Sequence, residues 1–90
     1  MSMSKLYRIY TENTRKQHLV RQAVNKCFDG YTLLKGVGYW QGTRELSLII
    51  EIIAEAADRD RIKALAEEIK VVNEQQAVLW TEQDIVSWLV

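Results

Sequence analysis

The sequence predicts an α+β fold, a ferredoxin-like βαββαβ sandwich in which a four-stranded antiparallel sheet carries two helices on one face. Three observations predict it. Runs rich in β-favouring residues alternate with two amphipathic helical stripes in the order strand, helix, strand, strand, helix, strand. Right-handed crossovers then place both helices on the same side of the sheet. Ninety residues, 48% hydrophobic and 27% charged, suit one folded core and leave no room for two. Residues 1–90 are therefore expected to form a single domain, and no proline, Ser/Gly linker or low-complexity tract divides them.

The first strand is expected over residues 5–12, where Leu6, Tyr7, Ile9 and Tyr10 favour extended backbone. Asn13 and Thr14 offer oxygens to a helix start. Leu19, Val20, Ala23, Val24, Cys27 and Phe28 recur at helical spacing over residues 15–28, and Asp29-Gly30 is the expected stop. Residues 31–41 predict a second strand whose Gly36 and Gly38 allow a bulge or a close backbone approach. A turn at Gln41-Gly42-Thr43 leads to a third strand over residues 45–54. There Leu46, Leu48, Ile50 and Ile52 form one face, and Ser47, Ile49, Glu51 and Ile53 the other. Asp58 and Asp60 suit the start of the second helix, whose buried stripe is Ile62, Leu65, Ala66, Ile69 and either Val71 or Val72. Asn73 is the expected left-handed exit, residues 75–82 the last strand, and Ile85, Trp88 and Leu89 one side of a terminal helical turn.

Twelve basic and twelve acidic residues cancel, so the footprint of a nucleic-acid binder or an anionic-membrane binder is absent. The single Cys excludes an internal disulfide, and no apolar run approaches the roughly 20 residues that span a bilayer. The polar start Met1-Ser2-Met3-Ser4 does not read as a signal peptide, and a cytoplasmic location is expected. His18 and Cys27, on one helix, would lie about 13 Å apart, too far for a nucleophilic dyad within one chain. The spacing of His, Cys, Asp and Glu suggests neither a metal site nor a cofactor. The stretch Lys35-Gly36-Val37-Gly38-Tyr39-Trp40 invites comparison with an RNA-recognition signature, but it falls on the second strand rather than the third.

Helices on one side cover Leu46, Leu48, Ile50 and Ile52 and leave Ile49 and Ile53 bare. A chain of this size has no second layer for them, so an oligomer is inferred. Glu51 between isoleucines needs a cationic partner, with Arg8, Lys35 and Arg44 available. It is either interfacial and satisfied or part of a wet cleft.

The motif Gly38-Tyr39-Trp40-Gln41-Gly42, with the terminal Ile85-Val86-Ser87-Trp88-Leu89, resembles the CutA divalent-cation-tolerance family and, more broadly, the PII-like superfamily. The resemblance implies a homotrimer with inward-facing sheets, Ile49, Ile53 and Trp88 at its interfaces, and clefts between protomers. The chain departs from CutA at Thr43, where a Lys is common, at Ile49, where an acid is common, and in lacking proline, so cation binding does not carry over. Only residues 41–45 connect strands two and three, too few for the long target-binding loop of signalling PII proteins. The resulting expectation is a non-catalytic protein that binds a small polar or anionic ligand between copies, lined by Lys35, Tyr39, Trp40, Arg44, Glu51 and Glu74. The alternative is a protein-interaction module using the bare sheet face or the Trp88 segment. An intersubunit enzyme using Glu51 or Glu74 with Arg44 ranks third.

Overall fold

The computed structural model describes residues 2–90. Its strands β1 (Ser2–Glu12), β2 (Thr32–Trp40), β3 (Thr43–Ala54) and β4 (Leu79–Ser87) pair antiparallel in the order β2-β3-β1-β4. Helices α1 (Gln17–Asn25) and α2 (Arg59–Val72) complete the ferredoxin-like arrangement, with a short 3-10 turn (Ala56–Asp58) ahead of α2. Among the described residues no helix is long and apolar enough to cross a membrane.

Alternation along the strands assigns the two faces. The buried core takes Tyr7 and Ile9 from β1, Leu48, Ile50 and Ile52 from β3, Val20, Ala23 and Val24 from α1, and Ile62, Leu65, Ala66 and Ile69 from α2. The two central strands thus supply all the fully buried sheet residues, while Leu33 and Trp80 on the edges are half-buried against them. Tyr7 is sealed among aliphatic side chains, and its hydroxyl donates to the Glu55 carbonyl at 2.7 Å. Burial pushes that phenol's pKa upward.

A buried polar chain joins the end of α2 to the end of β1. The Asn73 amide donates to Thr11 Oγ1 at 2.8 Å and to the Glu12 carbonyl at 3.1 Å, while its Oδ1 accepts from Thr14 Oγ1. Thr11 Oγ1 in turn donates to the Gln75 side chain. This chain explains two departures from the expected elements. Asn73 keeps negative φ and Glu74, at φ 53°, is the left-handed residue, with Glu74 N–H donating to the Val71 carbonyl and Gln75 N–H to the Lys70 carbonyl. With Gln75 held to β1, residues 75–78 form a loop, and β4 starts only at Leu79.

Other boundaries move for similar reasons. Because β1 begins at Ser2, β4 finds backbone partners as far as Ser87, so residues 83–87 are strand, not a helical turn. Trp88, Leu89 and Val90 follow it as exposed coil. Helix α1 is shorter than expected: it starts at Gln17 and gives way at Lys26, whose conformation is right-handed, and Gly30 has no positive φ. Cys27, expected in the core, is half-buried beyond the helix end. The Asp58 side chain does not cap α2; it accepts the Glu55 N–H at 3.0 Å and pairs with Arg61. No bulge interrupts β2, although Gly38 fits a close approach, since a Cβ there would lie 2.8 Å from Ser47 Oγ.

Replacing Asn73 by Ala removes three hydrogen bonds and takes from buried Thr11 Oγ1 the amide donor it accepts from, leaving its own bond to Gln75. The expected loss is about 2–3 kcal/mol, measured as the change in unfolding free energy in a urea titration. Helix content before the transition should match that of the native chain.

Candidate subunit interface and ligand cleft

The sheet face away from the helices is built from Leu6, Arg8 and Tyr10 of β1, Ile49, Glu51 and Ile53 of β3, Thr32 and Leu34 of β2, and Leu79, Thr81 and Gln83 of β4. Strand register sorts them into rows that cross the sheet. Leu34, Ile49, Tyr10 and Leu79 form one, and Ile53, Leu6 and Gln83 another. Between them runs Thr32, Glu51, Arg8 and Thr81. This outer face is open to solvent, with Leu34 42%, Ile53 58% and Leu79 63% exposed. It combines exposed or half-buried apolar side chains on all four strands with a single charged pair.

At its centre Arg8 Nε donates to Glu51 Oε2 at 2.8 Å. Of the three cations that the sequence offered to Glu51, the structure selects Arg8, its direct cross-strand neighbour. Lys35 pairs in register with Leu48 and projects to the helix side, so it cannot reach Glu51. The carboxylate, with Tyr10 beside it, raises the pKa of the Arg8 guanidinium.

The β2–β3 hairpin continues past the end of β1. Four further pairs, Val37–Leu46 to Trp40–Thr43, extend beyond the Glu12–Ser47 pair. Its turn has Gln41 at φ 50° and Gly42 at φ 79°, the positive-φ pair that a two-residue hairpin turn requires. The arm reaches past the core, so Leu46, expected to be buried with Leu48, is exposed with Val37 and Tyr39. Tyr39 and Arg44 are direct cross-strand partners on the helix side, with Lys35 further along the same face, and Trp40 is on the other side. Glu74 lies beyond α2 and pairs with Lys16 at 2.8 Å. Within one chain, then, the six residues expected to line a cleft fall into three groups: Lys35, Tyr39 and Arg44; Trp40 and Glu51; and Glu74. Exposed His18 adds nothing to them.

Two open grooves lie elsewhere. One of about 430 Å³ is bordered by Ser4, Phe28, Ile53 and Glu55, and one of about 240 Å³ by Lys63, Lys70, Val78 and Trp80. None of the six residues borders either. Sequence reasoning missed Leu6, Tyr10, Leu34 and Leu79 as members of the outer face. The alternation of β1 contained that signal, but only the pairing register assigns its sides.

The helix side is held by ion pairs. Glu82 accepts from Arg59 Nε at 2.6 Å and Nη2 at 2.8 Å, tying α2 to β4, and Lys5 pairs with both Glu82 and Asp84. Arg59 depresses the Glu82 pKa, the Glu55 amide followed by Arg61 depresses that of Asp58, and Lys16 depresses that of Glu74.

No family model matches the chain, and no curated protein does. Solved structures do. A DUF3240 family protein from Shewanella baltica OS155 matches at TM-score 0.75 and 16% identity, covering 100% of this chain and 98% of that one. CPII, a nitrogen regulatory PII-like protein from Thiomonas intermedia K12 bound to ADP, AMP and bicarbonate, matches at TM-score 0.69 and 14% identity, over 99% and 98%. A phage SAM lyase in its apo state matches at TM-score 0.66 and 18% identity, over 91% and 81%. These likenesses establish the fold: the chain is built as PII-like proteins are, which bears out at that level the resemblance in its sequence.

Because these carboxyl groups titrate lower in the native state than in the unfolded chain, the stability they supply is complete above their ordinary values and is lost as pH falls through their folded values. The thermal midpoint is therefore expected to hold from neutrality to about pH 5 and to drop below it. Glu82→Gln should flatten that drop, and scanning calorimetry across the pH series measures it.

Proposed function

We propose that the chain is a non-catalytic, PII-like homotrimer that takes up a small polar or anionic ligand in clefts between its copies. The observation that carries this reading is the outer sheet face: apolar side chains on all four strands, which neither helix can reach. Trimer formation with the sheets turned inward shelters Ile49 and Ile53 and removes that surface from water.

The ligand half of the reading rests on the hairpin arm. Arg44 and Lys35 offer charge-assisted hydrogen bonds to an anion, and Tyr39 and Trp40 offer flat apolar surfaces. In one chain these groups are exposed and dispersed over the two sides of the arm, so a pocket made from them needs walls from a neighbour, to which Glu51 and Glu74 would belong. CPII, of the same fold, is bound to ADP, AMP and bicarbonate, which makes nucleotides and small oxyanions the first probes to use. A lyase also uses this fold, so the assignment rests on the surfaces of this chain rather than on fold alone.

A second reading is favoured by one observation: Trp88, Leu89 and Val90 extend beyond β4 as an exposed apolar segment. On that reading the chain is an interaction module and the segment docks on a different protein.

Sedimentation equilibrium should give three times the 10.5 kDa chain mass, and Ile53→Lys, which sets a charge on the outer face, should return a folded monomer. A native monomer at micromolar concentration would sink the trimer. Trp88→Ala should weaken the trimer if Trp88 belongs to the interface and leave the mass unchanged if the segment serves a foreign partner. In thermal-shift measurements, ADP, AMP or bicarbonate at 100 times its dissociation constant should stabilise the native chain by about 2.7 kcal/mol. Arg44→Ala should abolish the response at the same concentration.

A further inference from the structure

We infer that the Arg8–Glu51 row sets the register in which copies of this chain pack, with Arg8 of one copy meeting Glu51 of the next. This rests on the proposed assembly through the outer sheet face and names the contact that directs it. Only one row in the middle of that face is charged, and it carries one cation and one anion on adjacent strands, flanked by Thr32 and Thr81. The rows above and below are predominantly aliphatic and aromatic.

The covering partner follows from this pattern. In a closed ring of three, one side of the patch on each copy meets the other side of the patch on the next. A patch of one sign repels its neighbour, whereas a cation on one strand beside an anion on the adjacent strand lets each copy present to the next the charge opposite to the one it meets. The aliphatic rows tolerate many offsets, since apolar contact has no direction. The charged row does not. Displacing one copy by a single row would press the Arg8–Glu51 pair onto Leu, Ile or Tyr side chains and bury its remaining donors and acceptors without partners, a desolvation cost that the aliphatic contact does not offset.

The donor count points the same way. A guanidinium carries five N–H donors. In one chain its Nε–H goes to Glu51 Oε2 at 2.8 Å, and the flat guanidinium cannot turn all its remaining donors toward one carboxylate and the neighbouring Tyr10. With Arg8 at 34% and Glu51 at 26% exposure, water reaches the pair in one chain. A covering copy takes that water away and must bring acceptors of its own, and the Glu51 carboxylate of the neighbouring copy is the group that the shared register delivers. Buried ionic groups that specify register have precedent as a physical device.

The test mixes two variants of the full chain, Arg8→Glu, which leaves two acids in the row, and Glu51→Arg, which leaves two bases. Circular dichroism and thermal melts of the separated variants check folding, and Arg8→Asp with Glu51→Lys forms a second pair should either fail. Each variant alone should self-associate about 30-fold or more weakly than the native chain. The equimolar mixture should recover mixed assemblies in native mass spectrometry, because a contact within one chain cannot be repaired by adding another. If the native chain assembles and Ile53→Lys disrupts it, but the mixture gives no mixed species or each variant associates like the native chain, the row does not set register while the assembly reading stands. A monomeric native chain overturns both.

Discussion

Two helices of nine and fourteen residues can cover one face of a four-stranded sheet, and in this chain both lie on the same face. From that single shortage of covering material most of the molecule's properties follow. The helix side behaves as an ordinary interior, with aliphatic side chains and one hydroxyl bonded to a carbonyl. The other side repeats the same residue types without anything above them. Adding surface charge would have made it soluble at no cost to the fold, yet only the central row is charged over the middle of the sheet. The composition of that face is thus not explained by how one chain folds, and the proposed association rests on it.

The ion pairs divide along the same line. Those on the helix side join elements distant in sequence, such as α2 with β4 through Arg59 and Glu82, and α1 with α2 through Lys26 and Glu68. All are at least partly open to water, and such pairs contribute little individually. Arg8–Glu51 has the same geometry in one chain, but its surroundings are apolar, so its energetic weight depends on what covers it. One salt bridge can therefore be a minor surface feature of a monomer and a strict constraint on an assembly. The hairpin arm has the same character: it extends past the core and exposes aromatic and cationic groups, which only the proposed neighbour would turn into a site.

Much of the architecture was legible in the sequence. The strand and helix order, the stripe Ile62, Leu65, Ala66 and Ile69, and the burial of Leu48, Ile50 and Ile52 opposite Ile49 and Ile53 all follow from periodicity, because a residue's face is fixed by its spacing along one element. The end of the chain was misjudged for the converse reason. Thr81 and Asp84 resemble a helix start, yet Lys5 and the unpaired edge of β1 claim residues 79–87 for the sheet. Asn73 was placed at a turn correctly in position but not in role, since its amide serves β1 and Glu74 takes the left-handed conformation.

By itself, then, the sequence determined which side chains lie on each face of each element, and with that a sandwich having one side too many for a single chain. Tertiary structure alone decided the register. Pairing Arg8 with Glu51, sending Lys35 to the opposite face and aligning four strands into apolar and polar rows are relations between different segments of the chain. Local periodicity carries no information about them, because a strand shifted by two residues keeps the same alternation while bringing every side chain to a different neighbour.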